Sequence, residues 1–391
     1  MQLRPHQEQA VKAMLRNTKG QIIVPTGGGK TMCMIDDAMN EFSRSYMGQT
    51  IVVVAPRILL ANQLSAEFLE FIDNAEVLHV HSGETRHYST TQASRISVWS
   101  AKNCAFNQII FTTYHSLHRI QESGIHVDTI YFDEAHNSVQ KNFYSATEYF
   151  SHHAERCYFF TATPKHSRTP SKAGMNWTKT YGQVICQVPA PKLVNQGYIL
   201  PPKVEVYKTR ILEKDELVAD RDSEQMIDAI DNLKKNKVLI CAKSTKQIVN
   251  LVSHTKFVSE LAWRGYSYML ITSKTGAIID GEKVTREEFF DVLNAWGQDP
   301  DKRFVVLHHS ILSEGMNVKG LEAVLFMRSM DYIGISQTIG RVIRKGAKDK
   351  VFGLVCIPVY SKVGISTATK VEAVVDTIFN KGEAATTVIT R

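Results

Sequence analysis

Pro25-Thr26-Gly27-Gly28-Gly29-Lys30-Thr31 stands between an apolar run, Gln21 to Val24, and a stretch of helical periodicity from Lys30 to Phe42. Phosphate oxygens need several converging N–H donors, and successive glycines let a backbone curl tightly and come close to them. Lys30 adds a point charge for β- and γ-phosphates, and Thr31 a hydroxyl for Mg2+. The strict pattern would open with glycine at position 24, where this chain has Val24. Lys30 is expected beside a solvent-filled cleft, with little weight in stability. A second cluster, Asp133-Glu134-Ala135-His136, closes the apolar run Thr129 to Phe132. Carboxylates at the tip of a buried parallel strand face the crevice where ligands bind. Asp133 can hold Mg2+ through water, and Glu134 can orient an attacking water and accept its proton.

Three further segments follow in order: Phe160-Thr161-Ala162-Thr163-Pro164, Ser313-Glu314-Gly315-Met316-Asn317, and Gln337 to Arg344. Arg341 and Arg344 are three apart, so they share one helix face, an arrangement suited to a phosphate.

These residues need rigid elements to hold them. Apolar runs at Gln21–Val24, Thr50–Ala55, Gln108–Phe111, Thr129–Phe132 and Cys157–Phe160 read as strands buried on both faces, alternating with helical patterns. That is the signature of a parallel sheet covered by helices, a doubly wound α/β domain. Six of the eleven prolines then fall between Pro164 and Pro202. Alternation resumes with strands at Lys237–Ala242, Ser267–Ile271, Arg303–Leu307, Ala323–Phe326 and Val351–Val355, and helices over 245–263 and 285–296. The expectation is two tandem α/β domains, 1–188 and 203–391, joined by a linker over 189–202.

The chain has 391 residues, 43% hydrophobic, with a formal charge of +7. That hydrophobic share excludes a disordered chain. No apolar stretch reaches the ~20 residues of a membrane span, and Met1 to Leu15 lacks a secretory core. The modest basic excess permits a polyanionic partner. Six dispersed cysteines exclude a CxxC site and read as small buried hydrophobes in a reducing compartment. His79, His81 and His87 lack a nearby acidic or cysteine co-ligand and read as a polar loop. The aromatics of Tyr131-Phe132 and Tyr158-Phe159-Phe160 read as core packing.

With Leu3-Arg4-Pro5-His6-Gln7, Val54-Ala55-Pro56-Arg57 and Thr112-Thr113-Tyr114 added, the ordered set resembles the superfamily 2 DEAH-box helicases and translocases over almost the whole length. Tyr181-Gly182-Gln183-Val184 and Asn195 to Pro201 look most like the branch that holds restriction-enzyme motor subunits and phage UvsW-type branch-migration helicases. The resemblance implies two RecA-like domains with an ATP cleft between them, and ATP and Mg2+ as cofactors.

It also implies roles. Gln7, with Arg4 nearby, would read adenine. Thr26, Gly27, Gly28, Gly29, Lys30, Thr31 and Gly315 would hold the nucleotide, and Thr31 and Asp133 the Mg2+. His136 and Gln337 would couple the domains, and Arg341 and Arg344 would act as arginine fingers on the transferring phosphoryl group. Pro56, Arg57, Thr112, Thr113 and Tyr114 would lie along the nucleic-acid backbone, with Thr161 and Thr163 linking hydrolysis to strand movement. Two departures stand out: Asn317 where the family usually has Asp, and His309 where a backbone-touching threonine is common. The implied function is an ATP-dependent DNA helicase or translocase, acting in the cytoplasm, or a host's if phage-encoded. Alternatives are an RNA helicase, the motor of a separate nuclease or recombination partner, or an ATP-binding clamp without productive turnover. The motifs begin at residue 3 and end close to the last residues, so the expectation is a nearly bare two-domain motor.

Overall fold

The computed structural model describes the chain except residues 45–46, 209–211, 273, 310–319, 328–331, 344–352, 360 and 390–391. The side chains of 206–208, 332–333, 341, 354–359 and 361–367 also lie outside the description. The chain divides into two units: Met1–Pro189 with Ala384–Arg391, and Ala190–Glu383.

The strands of the first unit are β1 (Lys19–Ile23), β2 (Thr50–Ala55), β3 (Ala75–Val80), β4 (Asn107–Thr113), β5 (Thr129–Phe132), β6 (Arg156–Thr161), β7 (Lys165–Ser167) and β8 (Val184–Gln187). Seven of them form one sheet in the order β3-β4-β2-β5-β6-β1-β8, every neighbouring pair parallel. The central strands are apolar on both faces because helices cover both, and Ile22, Val52, Val53, Ile110, Ile130 and Phe159 are fully buried. Strand tips are level: Ile23 pairs with Thr161, Val54 with Phe132, and Ala55 with Thr113. The segments that follow β4, β2, β5, β6 and β1 therefore emerge side by side at one carboxyl edge.

Helices α1 (Pro5–Arg16), α2 (Lys30–Arg44) and α3 (Ile58–Leu69) serve that edge. Proline at the first position and Gln7, whose Oε1 accepts from the Arg4 N–H at 2.8 Å, start α1. Buried Asp37 fixes α2 on the sheet. It accepts from the Tyr131 hydroxyl at 2.6 Å and from Arg156 at 2.7 and 3.0 Å.

The second unit holds β9 (Pro202–Lys208), β10 (Lys237–Cys241), β11 (Ser267–Thr272), β12 (Gly276–Ile279), β13 (Glu282–Val284), β14 (Phe304–His308), β15 (Ala323–Phe326) and β16 (Gly353–Val359). They form a sheet in the order β13-β12-β11-β14-β10-β15-β16-β9, parallel except for the antiparallel β11-β12-β13 meander. The last strand, β17 (Thr387–Ile389), leaves this unit and pairs in parallel with β7. The sequence expectation had carried the second domain to residue 391.

All ten strands expected from apolar runs are present where described. Those not foreseen are short or half-exposed: β3, β7, β8, β9, β12, β13 and β17. The expected 245–263 helix is two, Thr245–His254 and Phe257–Trp263. Thr255 is extended, and its hydroxyl both caps the first helix at Leu251 and accepts from the Phe257 N–H. The histidines divide: His81 and His87 lie in the irregular segment 81–88, His87 exposed, but His79 does not belong to a loop. His79 sits in β3, buried, with Nδ1 3.0 Å from His81 Nε2 and Nε2 3.0 Å from Ser65 Oγ. Four of the described cysteines are buried as expected, but Cys104 is exposed. Tyr131, Phe132, Tyr158, Phe159 and Phe160 are core residues. Among the described residues no helix is long and apolar enough to cross a membrane.

Candidate nucleotide site

The loop 25–29 leaves β1 and enters α2 at Lys30. Gly27 and Gly29 have φ of +86° and +79°, a region that L side chains avoid. At Gly29 the positive φ calls for glycine, and a Cβ there would also push against the end of the Gln7 side chain. The Thr26 hydroxyl is buried and has no hydrogen-bond partner among the described residues. A loop with two left-handed glycines and an unsatisfied buried hydroxyl fits an incoming phosphate group.

From β5, one strand beyond β6, come Asp133 and Glu134, both buried. Glu134 is itself left-handed, φ 46° and ψ 53°, in a turn that aims its side chain back across the edge. Its Oε1 accepts from Lys30 Nζ at 3.0 Å, an ion pair whose side chains are only 11% and 6% exposed. The cleft-side picture of Lys30 from sequence is thus corrected: the ammonium is mostly covered and matched to a carboxylate. Burial, then the charge of neighbouring Glu134, holds the Asp133 carboxyl above the usual carboxylate range, with Lys30 opposing. A carboxylate poised this way fits a cation that would replace its proton.

His136 extends the chain of contacts to β6. Its Nδ1 lies 3.0 Å from Thr161 Oγ1, 3.3 Å from Thr163 Oγ1 and 3.6 Å from Glu134 Oε2. Asn137 Nδ2 stands 3.4 Å from the other ring nitrogen. An amide N–H can only donate, so a neutral ring would carry its proton on Nδ1. Thr161 Oγ1 also accepts from the Thr163 N–H at 3.0 Å. Lys30, Glu134, His136, Thr161 and Thr163 form one connected series across three neighbouring strands.

Gln7 lies over the loop rather than open to solvent. Its Nε2 donates to Gly29 O at 3.1 Å and approaches Gly28 O at 3.4 Å. His6, which the sequence reading passed over, is fully buried with Nε2 2.7 Å from Gly28 O. Only the fold, which sets residues 22 apart side by side, reveals that contact.

The residues expected along a nucleic-acid strand divide. Arg57 is exposed at the start of α3, while Pro56 is buried. Thr112, Thr113 and Tyr114 are buried as well. The Thr112 hydroxyl donates to Val80 O at 2.9 Å, and the Tyr114 hydroxyl to Asp133 O at 2.8 Å. The Thr112 and Tyr114 hydroxyls brace the edge from within.

In the second unit Gln337 is buried in the helix Tyr332–Val342 and His309 follows β14, half-buried. Gly315, Asn317 and Arg344, and the side chain of Arg341, lie outside the described residues.

Residues 1–166 match the family model described as type III restriction enzyme, res subunit. The chain is 24% identical over 360 residues to DEAD-box ATP-dependent RNA helicase 46 of Arabidopsis thaliana, an alignment covering 88% of this chain. It spans about half the length of that relative, 49%. Among solved structures it resembles the ATP-dependent Type ISP restriction-modification enzyme LlaBIII bound to DNA, with a TM-score of 0.75 and 18% identity over 100% of this chain and 31% of that one. A nuclease-deletion mutant of the Type ISP enzyme LlaGI, in complex with a DNA substrate mimic, gives 0.69 and 20% over 99% and 30%. A putative HsdR subunit fragment of a type I restriction enzyme from Vibrio vulnificus YJ016 gives 0.63 and 15% over 98% and 67%. The chain resembles superfamily 2 helicases and the motors of restriction enzymes, and it shares the two-sheet α/β fold of the latter.

Proposed function

We propose that the protein is a nucleic-acid-stimulated ATPase that moves on or opens DNA. The observation that carries this reading is the buried Lys30–Glu134 pair beside Asp133, with His136 joining it to Thr161 and Thr163. Lys30 is placed for β- and γ-phosphates and Thr26 for a phosphate oxygen. Glu134 is placed to orient a water and take its proton. Thr31 and Asp133 would hold Mg2+, which when bound supplies charge neutralisation on the phosphates. The series through His136 is a route by which a change at Glu134 reaches the segment after β6. The resemblance adds Gly315, Gln337, Arg341 and Arg344 of the second unit as partners in the same reaction, with Asn317 as a weakened contact.

DNA is favoured over RNA because two structural neighbours are described on DNA or a DNA mimic. The curated relative is named an RNA helicase, which keeps RNA as the second reading. The restriction-enzyme neighbours also support work as the motor of a nuclease. Arg57 and backbone groups at the carboxyl edge are the proposed grip, one that carries no direct sequence information. The deciding experiment compares ATPase rates with single-stranded, duplex and forked DNA and with RNA. Stimulation by DNA that falls in Arg57→Ala is expected. Stimulation by RNA alone would select the second reading, and an unstimulated rate would remove the motor.

A further inference from the structure

We propose that His6 is a positioning residue for the phosphate loop, acting from α1 without touching the nucleotide; this rests on the nucleotide-site reading above. His6 is fully buried, and its Nε2 stands 2.7 Å from the Gly28 carbonyl oxygen. A carbonyl can only accept, so Nε2 is the protonated nitrogen in that contact. Gln7, next along the same helical turn, donates to the Gly29 carbonyl at 3.1 Å. Two successive carbonyls of the loop are therefore drawn toward α1.

The geometry of the peptide unit gives this its effect. No peptide bond in the described chain is cis. In a trans unit the C=O and N–H of one plane point in opposite directions. Holding Gly28 O against His6 turns the Gly29 N–H away from α1. Holding Gly29 O against Gln7 turns the Lys30 N–H the same way. These are consecutive donors at the entrance to α2, where an anion is favoured by the helix end as well. A left-handed glycine has many alternative conformations, so an unclamped Gly29 would present those donors only part of the time. His6 and Gln7 remove that freedom before any ligand arrives.

The clamp has its own foundation. Pro5 opens α1 and Gln7 Oε1 accepts from the Arg4 N–H at 2.8 Å, which fixes the turn carrying both side chains. His6 cannot serve as a ligand contact, since none of its surface is exposed. It meets the loop at the Gly28 carbonyl.

The test uses full-length protein with a ring that keeps volume but loses the donor, His6→Phe, and a smaller side chain that keeps a donor, His6→Gln. Fluorescent ADP with Mg2+ is titrated into each, melting temperatures are recorded, and amide hydrogen exchange is followed across residues 25–31 without nucleotide. One hydrogen bond contributes about 0.5–1.5 kcal/mol, so His6→Phe should weaken ADP binding about 2- to 10-fold. Exchange across the loop should quicken, and His6→Gln should recover much of both. Native ADP affinity and native loop exchange in His6→Phe would overturn the proposal. So would equal loss in both variants, which would mark a packing role. Should wild-type protein fail to bind ADP, the nucleotide reading itself falls, while the exchange comparison still decides whether His6 orders the loop.

Discussion

Replacing Lys30 with alanine should damage stability as well as turnover. A phosphate-loop lysine in open solvent could be removed with little effect on folding. Here its ammonium is 3.0 Å from Glu134 Oε1, and the two side chains are 11% and 6% exposed. Alanine leaves Glu134 buried next to Asp133 and without the Lys30 ammonium. Breaking one side of a buried pair costs roughly 3–5 kcal/mol. Proton uptake by a carboxylate relieves part of that, by about 1.4 kcal/mol for each tenfold gain in its proton affinity. For a unit of this size 1 kcal/mol moves the melting point roughly 2–4 °C, so a drop of about 10 °C is expected at neutral pH. The drop should shrink as the pH is lowered and the stranded carboxylates take up protons. Adding Glu134→Gln to Lys30→Ala removes the uncompensated charge and should restore most of the lost stability, while turnover stays at background. Calorimetry of the four proteins of the cycle, with ATPase rates alongside, tests this. If Lys30→Ala melts like wild type and the double variant gains nothing, the ion pair has no energetic weight. Wild-type turnover in Lys30→Ala would refute the catalytic placement.

Glu134→Gln should keep nucleotide affinity and lose at least ~100-fold in hydrolysis, the scale of a lost general base; collapsed binding with surviving turnover would make Glu134 structural. Asp133 holds its proton more tightly in the folded protein than in the unfolded chain, so its stabilising contribution is present at acid pH and lost as the pH rises through the folded value. Asp133→Asn should therefore melt higher than wild type at neutral pH, lose that advantage in acid, and not hydrolyse ATP. A lower neutral melting point would contradict this. His79 is held down to about 3 by burial and by His81 and His87, so stability should fall as the pH drops from about 6.5 toward 3. His79→Gln should flatten that fall, and an unchanged acid profile would dismiss it. Arg344→Ala should slow hydrolysis by roughly 10³ if it acts as an arginine finger, and a wild-type rate would end that role.

Much of the site was legible because its demands on residue type are severe. Strands such as β1, β5 and β6 are buried on both faces, so they showed as apolar runs ending where Pro25, Asp133 and Thr161 begin. Direction of side chains was not legible. Thr112 and Tyr114 stand where the family pattern implies a ligand, yet nothing local says that a hydroxyl turns inward to Val80 or Asp133. Pairings across long separations were hidden for the same reason: Lys30 and Glu134 are 104 residues apart. The histidines misled because β3 is a sheet-edge strand with its first half partly exposed, so it gave no apolar run, while His79 and His81 satisfy one another inside.

The pairing of β17 with β7 has a topological meaning. Residues 190–383 are an excursion from a body that the chain both leaves and rejoins, so the second unit is tethered twice, at Pro189–Ala190 and at Glu383–Ala384. The chain therefore passes between the units twice, once outward and once back. Cutting one tether with a protease would not release the second unit. Removing residues 384–391 would spare every motif residue and still turn a two-point attachment into a one-point leash.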